Sequence, residues 1–339
     1  MNFAFDEDQE EFRATLRRFL EQASPLSATR ALMSESLAFS PEVWARASEQ
    51  VGLPGLVVSE DEGGQGLSFL ELVIAAEELG RVVSGMPFLS TTSGILAIQA
   101  AGSAAQRSEL LPGLASGEKT AALATAERGE GWGPEGIHAV VSGEGDQVRV
   151  TGRKSYVVDG AGADVLVVAG RREGTSGADG IVIAVVDADA AGVSRRVLDR
   201  VEVLLSAEMI GGAQICLERA VDYAKKRYQF GRAIGSFQGI KHLCSNMFVE
   251  IESAKAAVYY AAWAADEDND ELPVVAPLAK AYASQAYFFA ASESLHVHGG
   301  IGFTWADDSH LYFKRAKATE LLYGDATANK ELLAQRLGL

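Results

Sequence analysis

Residues 227–242, RYQFGRAIGSFQGIKH, interrupt a region that otherwise has helical periodicity. The break carries a cation, Arg227, an aromatic ring, Phe230, and, at Gly231 and Gly235, two glycines that a continuous helix avoids. Taken singly, each residue has an ordinary explanation, since an arginine can cap a helix end, a phenylalanine can fill a core and a glycine can form a turn. Their coincidence in one short break raises the question of what a guanidinium and a ring recognise there.

Two further stretches near the C-terminus combine glycine with groups that can bind or react. The stretch HVHGGIGFTWADD places Gly299 and Gly300 beside two histidines. The stretch LLYGDAT places Tyr323 and Asp325 on either side of Gly324. A phenol with an ordinary pKa near ~10 is a poor base at neutral pH.

The charge balance excludes one class of partner. The chain has 339 residues, with 30 basic and 46 acidic side chains and a formal net charge of −16. Binding to nucleic acid needs clustered lysine and arginine, so nucleic acid is not an expected partner. An acidic protein can still bind an anionic cofactor where an arginine or a helix N-terminus is placed locally.

Membrane, secretory and metal-binding features are not expected. Apolar runs are of strand length, and the N-terminus MNFAFDEDQEEF lacks the apolar segment of a secretory signal. Cys216 and Cys244 are too few for a disulfide framework, and no other residues join them as metal ligands. We therefore expect a cytoplasmic protein without a membrane span or a metal site.

The period of the apolar residues divides the chain into three segments. Residues 1–118 and 198–339 follow the helical period, and the helices of the last segment are long enough for a bundle that also packs against another subunit. Residues 119–197 alternate with a period of two, the pattern of an antiparallel sandwich or barrel, and no helix separates the runs as in a Rossmann domain. The predicted fold is α+β, with an N-terminal helical domain, a small middle β-domain and a C-terminal four-helix bundle.

The order of these segments and three motifs resemble the acyl-CoA dehydrogenase family. The motifs are GLPGLVVSEDEGGQGLSFLELVIAAEELGR, RYQFGRAIGSFQ and HVHGGIGFTWADD. The resemblance spans nearly the whole chain, and the last two motifs are specific at their mutual spacing. It implies the fold of that family, FAD as the cofactor, and α,β-desaturation of an acyl-CoA thioester.

The resemblance also implies which residues bind FAD. In this family the break between two C-terminal helices reaches across a dimer interface to the adenine half of a flavin that the neighbouring chain mainly holds. Arg227 would bond the pyrophosphate and Phe230 would pack on adenine or ribose. Gly299 and Gly300 would let main-chain N–H groups approach phosphate oxygens, and His296, which replaces the usual Gln, can still donate. The predicted FAD-binding set is Arg227, Phe230, Gln238, His296, Gly299, Gly300 and Gly324.

The catalytic base departs from the family pattern. Family chemistry removes a proton from the substrate α-carbon with a glutamate that precedes the Gly of an E-G-T-like turn, where this chain has Tyr323. Some members instead carry the glutamate on the first helix of the C-terminal domain, one residue before an Arg. That position here is Val201, and Glu202 beside it is turned about 100° around the helix. The catalytic residue of this chain is therefore not identified, and Glu202 and Asp325 are the remaining candidates.

The residues that face the flavin ring in the family are also replaced. Ala126 and Trp132 stand where a T-E-P-G-A-G-S-D-like loop has Thr and Ser, and Tyr156 and Val158 stand where K-x-W-I-T-N-G has Trp and Thr. Only SRRVLDRVEV separates the last strand-like run, GIVIAVVDADAAGV, from the helix LLSAEMIGG, where the family inserts further strands. The middle domain is thus expected to be shortened.

These replacements affect the chain's own flavin ring and base, whereas the half-site that it would offer to a neighbour's flavin is intact. The chain therefore resembles the small subunits of actinobacterial α2β2 acyl-CoA dehydrogenases of steroid side-chain degradation, in which the partner supplies the glutamate. The expected partners are an acyl-CoA, a larger homologous subunit and an electron-transfer protein. The alternatives are a self-sufficient homo-oligomeric enzyme with an unusual base and a non-catalytic scaffold subunit.

Overall fold

The computed structural model of the chain describes residues 5–33, 35, 39–143, 148–185 and 195–339. The helices found there are, in chain order, α1 (Glu7–Ala23), α2 (Leu26–Leu32), α3 (Pro41–Val51), α4 (Phe69–Arg81), α5 (Phe88–Ala101), α6 (Ala104–Ala115), α7 (Arg195–Lys226), α8 (Gln238–Asp266), α9 (Leu272–His298), α10 (Ser309–Leu321) and α11 (Ala326–Arg336). The strands are β1 (Ala121–Ala124), β2 (Val140–Ser142), β3 (Arg149–Thr151), β4 (Val165–Arg172), β5 (Ile181–Val185), β6 (Tyr228–Gln229) and β7 (Arg232–Ala233). Helices thus precede and follow a small sheet, which confirms the predicted fold class.

The chain packs as two compact units. The first unit comprises Met1–Arg30, Phe69–Ser84 and Glu202–Leu339, and the second comprises Ala31–Ser68 and Gly85–Val201. The N-terminal helices are therefore divided between the units. The boundaries predicted between the three segments of the sequence stay a prediction.

In the first unit, α4 crosses α7 with the two backbones in direct contact. A Cβ atom on Gly80 would lie 2.0 Å from the carbonyl oxygen of Glu208, and a Cβ on Gly211 would lie 1.9 Å from that of Glu77. Any larger residue at either glycine would push the helices apart, because 2.0 Å is far inside van der Waals contact. The two glycines therefore set the crossing of α4 and α7.

Two buried carboxylates of α4 attach the N-terminal helix α1 to this crossing. Arg13 donates to Glu77 at 2.9 Å and to Glu78 at 3.3 Å, and Arg17 binds Glu78 through two hydrogen bonds of 2.6 and 2.7 Å. The hydroxyl of Tyr259 on α8 donates to Glu77 at 3.0 Å. Burying such acids is favourable only when partners satisfy them, so α1, α4 and α8 depend on one another.

The second unit is built on a mixed sheet rather than the antiparallel one that the sequence predicted. β4 lies at its centre, pairs in parallel with β1 and β2, and pairs antiparallel with β5, while β3 pairs antiparallel with β2. The apolar alternation predicted strands correctly but carries no information on their direction. The part of the predicted strand run that falls on residues 186–194 lies outside the described residues.

The N-terminal part of α8 has an exposed apolar surface. Phe248 and Val249 are exposed, whereas Met247 and Ile251 on the other side of the helix are buried. Such a surface is consistent with the predicted packing of the long C-terminal helices against another subunit. Among the described residues, no helix combines the length and the apolar character that a membrane crossing requires.

The ion pairs between α1 and α4 give the first prediction. Replacing Arg13 with Met should lower the free energy of unfolding by about 3 kcal/mol, because it removes the guanidinium from two buried carboxylates. Chemical denaturation followed by circular dichroism measures the change. Arg18→Met on the same helix is the matched control, since Arg18 is exposed and donates to Thr15 instead. Equal stabilities of the two variants would contradict the importance of the buried pairs.

Candidate functional site

The break after α7 is a tight β-hairpin. α7 ends at Lys226, and the short strands β6 and β7 pair antiparallel immediately afterwards. The two residues between them, Phe230 and Gly231, have φ values of 52° and 78°. Positive φ at both central positions is typical of a type I′ turn, whose twist matches that of paired strands. The helix break thus exists to form a hairpin.

Phe230 is an unusual residue for its position in this turn. Asn, Asp and Gly are preferred where φ is positive, and a bulky side chain there is strained. Its side chain is 92% exposed, and its ring meets the edge of Phe237 with the ring centroids 6.3 Å apart. A strained, exposed aromatic residue is typical of a functional surface. Its backbone strain costs free energy, and an exposed ring adds little packing to the isolated chain to compensate for that cost.

The backbone on either side of the hairpin is well anchored, whereas the polar side chains are exposed. The Arg227 amide donates to the carbonyl oxygen of Tyr223, and the Ile234 amide donates to that of Arg227, both at 2.8 Å. Arg227 and Gln238 are themselves exposed. The N-cap of α8 is Phe237, which makes no side-chain capping bond. The first amides of α8 can therefore bind an anion beside the two exposed polar side chains.

A ring stack joins the hairpin region to the end of α9. The ring of Tyr223, one helical turn before Arg227, stacks on His298 with centroids 4.4 Å apart. His298 is buried and its Nδ1 donates to the carbonyl oxygen of Ser294 at 2.7 Å. His298 directly precedes the glycine pair, so the stack places the two predicted FAD-binding segments in one region of the first unit.

The glycine pair itself presents open backbone. Gly299 has φ 65° and ψ −146°, a combination that essentially only glycine adopts. A Cβ atom at Gly299 or Gly300 would meet no atom within 4 Å, so the main chain is accessible on that side. His296 is exposed, with Nδ1 3.2 Å from the Glu293 carboxylate. Its ring can present a donor at the same surface.

The predicted base position lies in a second cluster, the turn between α10 and α11. Tyr323 and Gly324 have φ values of 57° and 92°, so both are left-handed. Asp325 caps α11, because its carboxylate accepts from the Ala328 amide at 2.9 Å. A carboxylate engaged in a helix cap is a poor choice for a base, which weighs against Asp325.

Glu202 lies in the interior of the first unit beside this turn. It is 7% exposed, and its carboxylate attracts the ammonium of Lys280 electrostatically. That ammonium donates a hydrogen bond to the carbonyl oxygen of Gly324 at 3.1 Å. Glu202 is therefore not a solvated surface acid. Its neighbour Val201, at the alternative family position, is fully buried.

The residues predicted for the flavin-ring side lie in the second unit. Ala126 is buried, and the rings of Trp132 and Tyr156 approach each other with centroids 6.3 Å apart. Tyr156 has a positive φ of 56° and is exposed, while Val158 is partly buried. Two aromatic rings thus meet at Trp132 and Tyr156, where the sequence predicts that the family has Ser and Trp.

A pocket of about 480 Å³ opens on the sheet of the second unit. It is lined mainly by Ala, Val and Leu side chains, some from β1, β3 and β4 and others from the segments between strands, with Lys154 and Tyr156 among the polar residues. Lys154 is held by the Glu127 carboxylate at 2.8 Å and by the carbonyl oxygen of Thr125 at 3.0 Å. Burial lowers the pKa of Lys154, and the Glu127 carboxylate opposes that shift.

Comparisons with known proteins decide the family. Residues 6–118 match the N-terminal domain and residues 192–338 the C-terminal domain of acyl-CoA dehydrogenases. The chain is 31% identical to acyl-CoA dehydrogenase IpdE2 of Mycolicibacterium smegmatis (94% of this chain, 95% of the relative) and 33% identical to IpdE2 of Mycobacterium tuberculosis (93% of each). The chain belongs to the acyl-CoA dehydrogenase family. Members are FAD-dependent oxidoreductases that act on the CH–CH bond of an acyl-CoA.

Solved structures agree with this assignment. A variant of the Tcur3481-Tcur3483 steroid acyl-CoA dehydrogenase superposes with a TM-score of 0.90 at 27% identity, covering 98% of both chains. The ChsE4-ChsE5 complex of Mycobacterium tuberculosis superposes with a TM-score of 0.86 at 23% identity, covering 100% of this chain and 99% of that chain. The second likeness shows the fold alone. Residues 119–191 lie between the two matched domains, where the sequence predicts a shortened β-domain.

The hairpin at Arg227 and Phe230, the start of α8 and the glycine pair at 299 and 300 form a first cluster, which fits the adenine and diphosphate end of FAD. It offers an exposed guanidinium, an exposed ring, an uncapped helix N-terminus and open glycine backbone, which are the groups that a diphosphate joined to an aromatic base requires. The individual contacts of Arg227, Phe230, Gln238, His296, Gly299, Gly300 and Gly324 with FAD stay a prediction.

Sequence reasoning missed Lys280, the residue that links Glu202 to the turn at Tyr323. Lys280 lies in the apolar helix α9 and its side chain is 0% exposed. The available signal was a single lysine within PVVAPLAKAYASQAYFF, because a charge among so many apolar residues is rare unless it has partners.

The strain at Phe230 gives a second prediction. Phe230→Asn should leave the free energy of unfolding unchanged or raise it by about 0.5 kcal/mol, because Asn tolerates positive φ and little packing is lost. Phe19→Asn, at a buried phenylalanine of α1, is the contrast and should lose more than about 3 kcal/mol. A comparable loss in Phe230→Asn would mean that its ring supports the fold rather than a binding surface.

Proposed function

We propose that this chain is one subunit of a heteromeric FAD-dependent acyl-CoA dehydrogenase that introduces an α,β double bond into an acyl-CoA. This chain contacts the adenine and diphosphate half of FAD, and a larger homologous subunit supplies the catalytic glutamate. The observation that carries the proposal is an asymmetry. Phe230 is 92% exposed in an anchored hairpin, whereas the turn that should hold the base presents the phenol of Tyr323.

The reaction then divides between the chains. Bound FAD supplies the acceptor for the hydrogen that leaves the β-carbon as hydride, while a carboxylate removes the α-proton. Arg227 would hold the diphosphate by charge-assisted hydrogen bonds, and Phe230 would cover the adenosine and exclude water from it. The amides of Gly299 and Gly300 would donate to phosphate oxygens. These groups orient the cofactor and leave proton removal to the partner.

Relatives support the two-chain assembly and a bulky substrate. The Tcur3481-Tcur3483 structure, at 27% identity, is named for two proteins and described as a steroid acyl-CoA dehydrogenase. The exposed Phe248 and Val249 on α8 give this chain an apolar surface that a second subunit can cover. A shortened middle domain leaves more room above the flavin, which favours bulky acyl groups such as steroid side-chain thioesters. We expect an electron-transfer flavoprotein as the acceptor and the cytoplasm as the compartment.

Co-purification tests the assembly. A tagged copy of the chain, expressed in its own organism, should recover a larger acyl-CoA dehydrogenase subunit with one FAD per pair of chains. The expected complex absorbs in the visible range and desaturates an acyl-CoA, which neither chain does alone. A yellow, active homo-oligomer of this chain alone would overturn the heteromer.

Arg227 tests the role of this chain within that complex. Arg227→Met should weaken FAD binding by about 10- to 150-fold, because a charge-assisted bond to phosphate contributes about 1.5–3 kcal/mol. Lys226→Met, at the adjacent exposed lysine, is the matched control and should retain FAD. Titration of the apo-complex with FAD, followed by flavin fluorescence, measures the difference. Unchanged affinity in Arg227→Met would favour the non-catalytic scaffold instead.

A second candidate is a self-sufficient enzyme with Glu202 as its base. The burial of Glu202 beside Lys280 and the Tyr323 turn favours it, since the carboxylate lies close to the position that the family uses. Glu202→Gln discriminates the two candidates. Loss of a general base lowers kcat by about 10²- to 10⁴-fold with FAD content retained. Under the leading proposal, kcat of the co-purified complex changes by less than about tenfold.

A further inference from the structure

Lys280 is a buried cation in an apolar helix. Its side chain is 0% exposed, and the neighbouring Ala279, Ala281 and Ala283 of α9 are buried as well. An ammonium in such a place is costly unless hydrogen bonds replace its water. The acceptors of its three N–H donors therefore indicate the role of the buried charge.

All three donors of Lys280 are engaged, and two of them hold one turn. Nζ donates to the hydroxyl of Ser284 at 3.1 Å, to the carbonyl oxygen of Glu320 at 3.2 Å and to the carbonyl oxygen of Gly324 at 3.1 Å. Glu320 lies near the end of α10, and Gly324 lies just before α11. The ammonium thus joins both ends of the turn that carries Tyr323 to α9.

The turn needs this support because its backbone is strained. Tyr323 and Gly324 are consecutive residues with positive φ, and a tyrosine in that conformation persists only where its surroundings hold it. Asn329 adds a second buried donor, whose Nδ2 lies 2.9 Å from the carbonyl oxygen of Gly324 and 3.3 Å from that of Tyr323. Two buried donors, Lys280 and Asn329, therefore converge on the carbonyl oxygen of Gly324.

Carboxylates on three elements face the ammonium. Glu202 of α7, Glu320 of α10 and Asp325 before α11 raise the pKa of Lys280, but burial has the larger effect and lowers that pKa to about 8. Lys280 is therefore charged at pH 7 and loses its proton within an accessible range. Its unfolded pKa is higher, so below pH 8 the protonated amine is present in both states, and the folded state loses its charge first as the pH rises.

We propose that Lys280 is a positioning residue. Its buried ammonium fixes the backbone of the Tyr323–Gly324 turn, in which Gly324 is predicted to bind FAD. The inference rests on the proposed function in one respect, that Gly324 contacts the cofactor. The holding of the turn itself depends only on this chain. Lys280 is fully buried and acts through the carbonyls of Glu320 and Gly324 on either side of Tyr323.

Hydrogen exchange of the full chain without a partner tests the holding of the turn. In Lys280→Met, the peptide covering residues 320–328 should exchange at least about tenfold faster at pH 7, because two charge-assisted bonds are lost. Lys317→Met is the matched control, since that exposed lysine pairs with the side chain of Glu320 rather than with the turn carbonyls. Equal exchange in the two variants would overturn the proposal.

The pH profile separates the charge from simple packing. After correction for intrinsic exchange, protection of residues 320–328 in the wild-type chain should rise several-fold between pH 7 and 9.5, because the pKa of Lys280 is higher once the turn opens and water reaches its amine, so that protonation favours the opened turn at pH 7. The profile of Lys280→Met should be flat. A flat wild-type profile would overturn the role of the charge.

Titration with FAD tests the link to the cofactor. The co-purified complex that carries Lys280→Met should bind FAD about tenfold more weakly than the complex with Lys317→Met. A loosened turn with unchanged FAD affinity would overturn the positioning of the cofactor site. Absence of FAD from the wild-type complex would refute the proposed function, while the exchange data would still decide whether Lys280 holds the turn.

Discussion

The strained two-residue turn that holds the ring of Phe230 in solvent is the constraint on which the proposed role of this protein depends. Phe230 has a backbone conformation that disfavours its side chain, and its own chain leaves 92% of that side chain exposed. The hairpin can hold such a residue because α7 and α8 anchor both of its ends, and the stack of Tyr223 on His298 ties α7 to the glycine pair of α9. A rigid scaffold that displays a strained ring and open glycine backbone is suited to another chain's ligand.

The buried charges of the first unit stabilise two different features. Glu77 and Glu78 are neutralised by guanidinium groups from α1, so their pairing attaches the N-terminal helix to the helical core. Lys280 donates hydrogen bonds to neutral oxygens, and two of these bonds reach the carbonyls of Glu320 and Gly324 on either side of Tyr323. Nearby carboxylates also attract its ammonium electrostatically. A buried ammonium that donates to carbonyl oxygens fixes the conformation of the backbone that carries them, whereas an ion pair joins two charged side chains. These hydrogen bonds fix the turn that carries Tyr323, the residue at the position where the sequence predicts that the family has its glutamate.

The residues predicted for the two halves of a flavin site differ in their surroundings. Arg227, Phe230 and Gln238, predicted for the adenine side, are exposed, whereas Trp132 and Tyr156, predicted for the flavin-ring side, bring two rings together in the second unit. Asp325 is committed to capping α11 and Tyr323 is a phenol, so the turn offers no obvious base. Glu202 restores a carboxylate to the neighbourhood from a different helix. Such an arrangement is expected of a subunit whose chemistry is completed elsewhere.

Local properties of this protein were determined by its sequence alone. The helical period, the break at residues 227–237, the β-period of the middle segment and the motifs of the family depend on residues close together in the chain, so they could be predicted. The directions of the strands around β4, the use of Asp325 as a cap and the burial of Glu202 could not. Lys280 and Gly324 are 44 positions apart, and the periodicity of a sequence does not predict a hydrogen bond between residues so far apart. Only tertiary structure decides which polar groups meet when the helices pack, because burial, and not residue type, sets the partners of a charge.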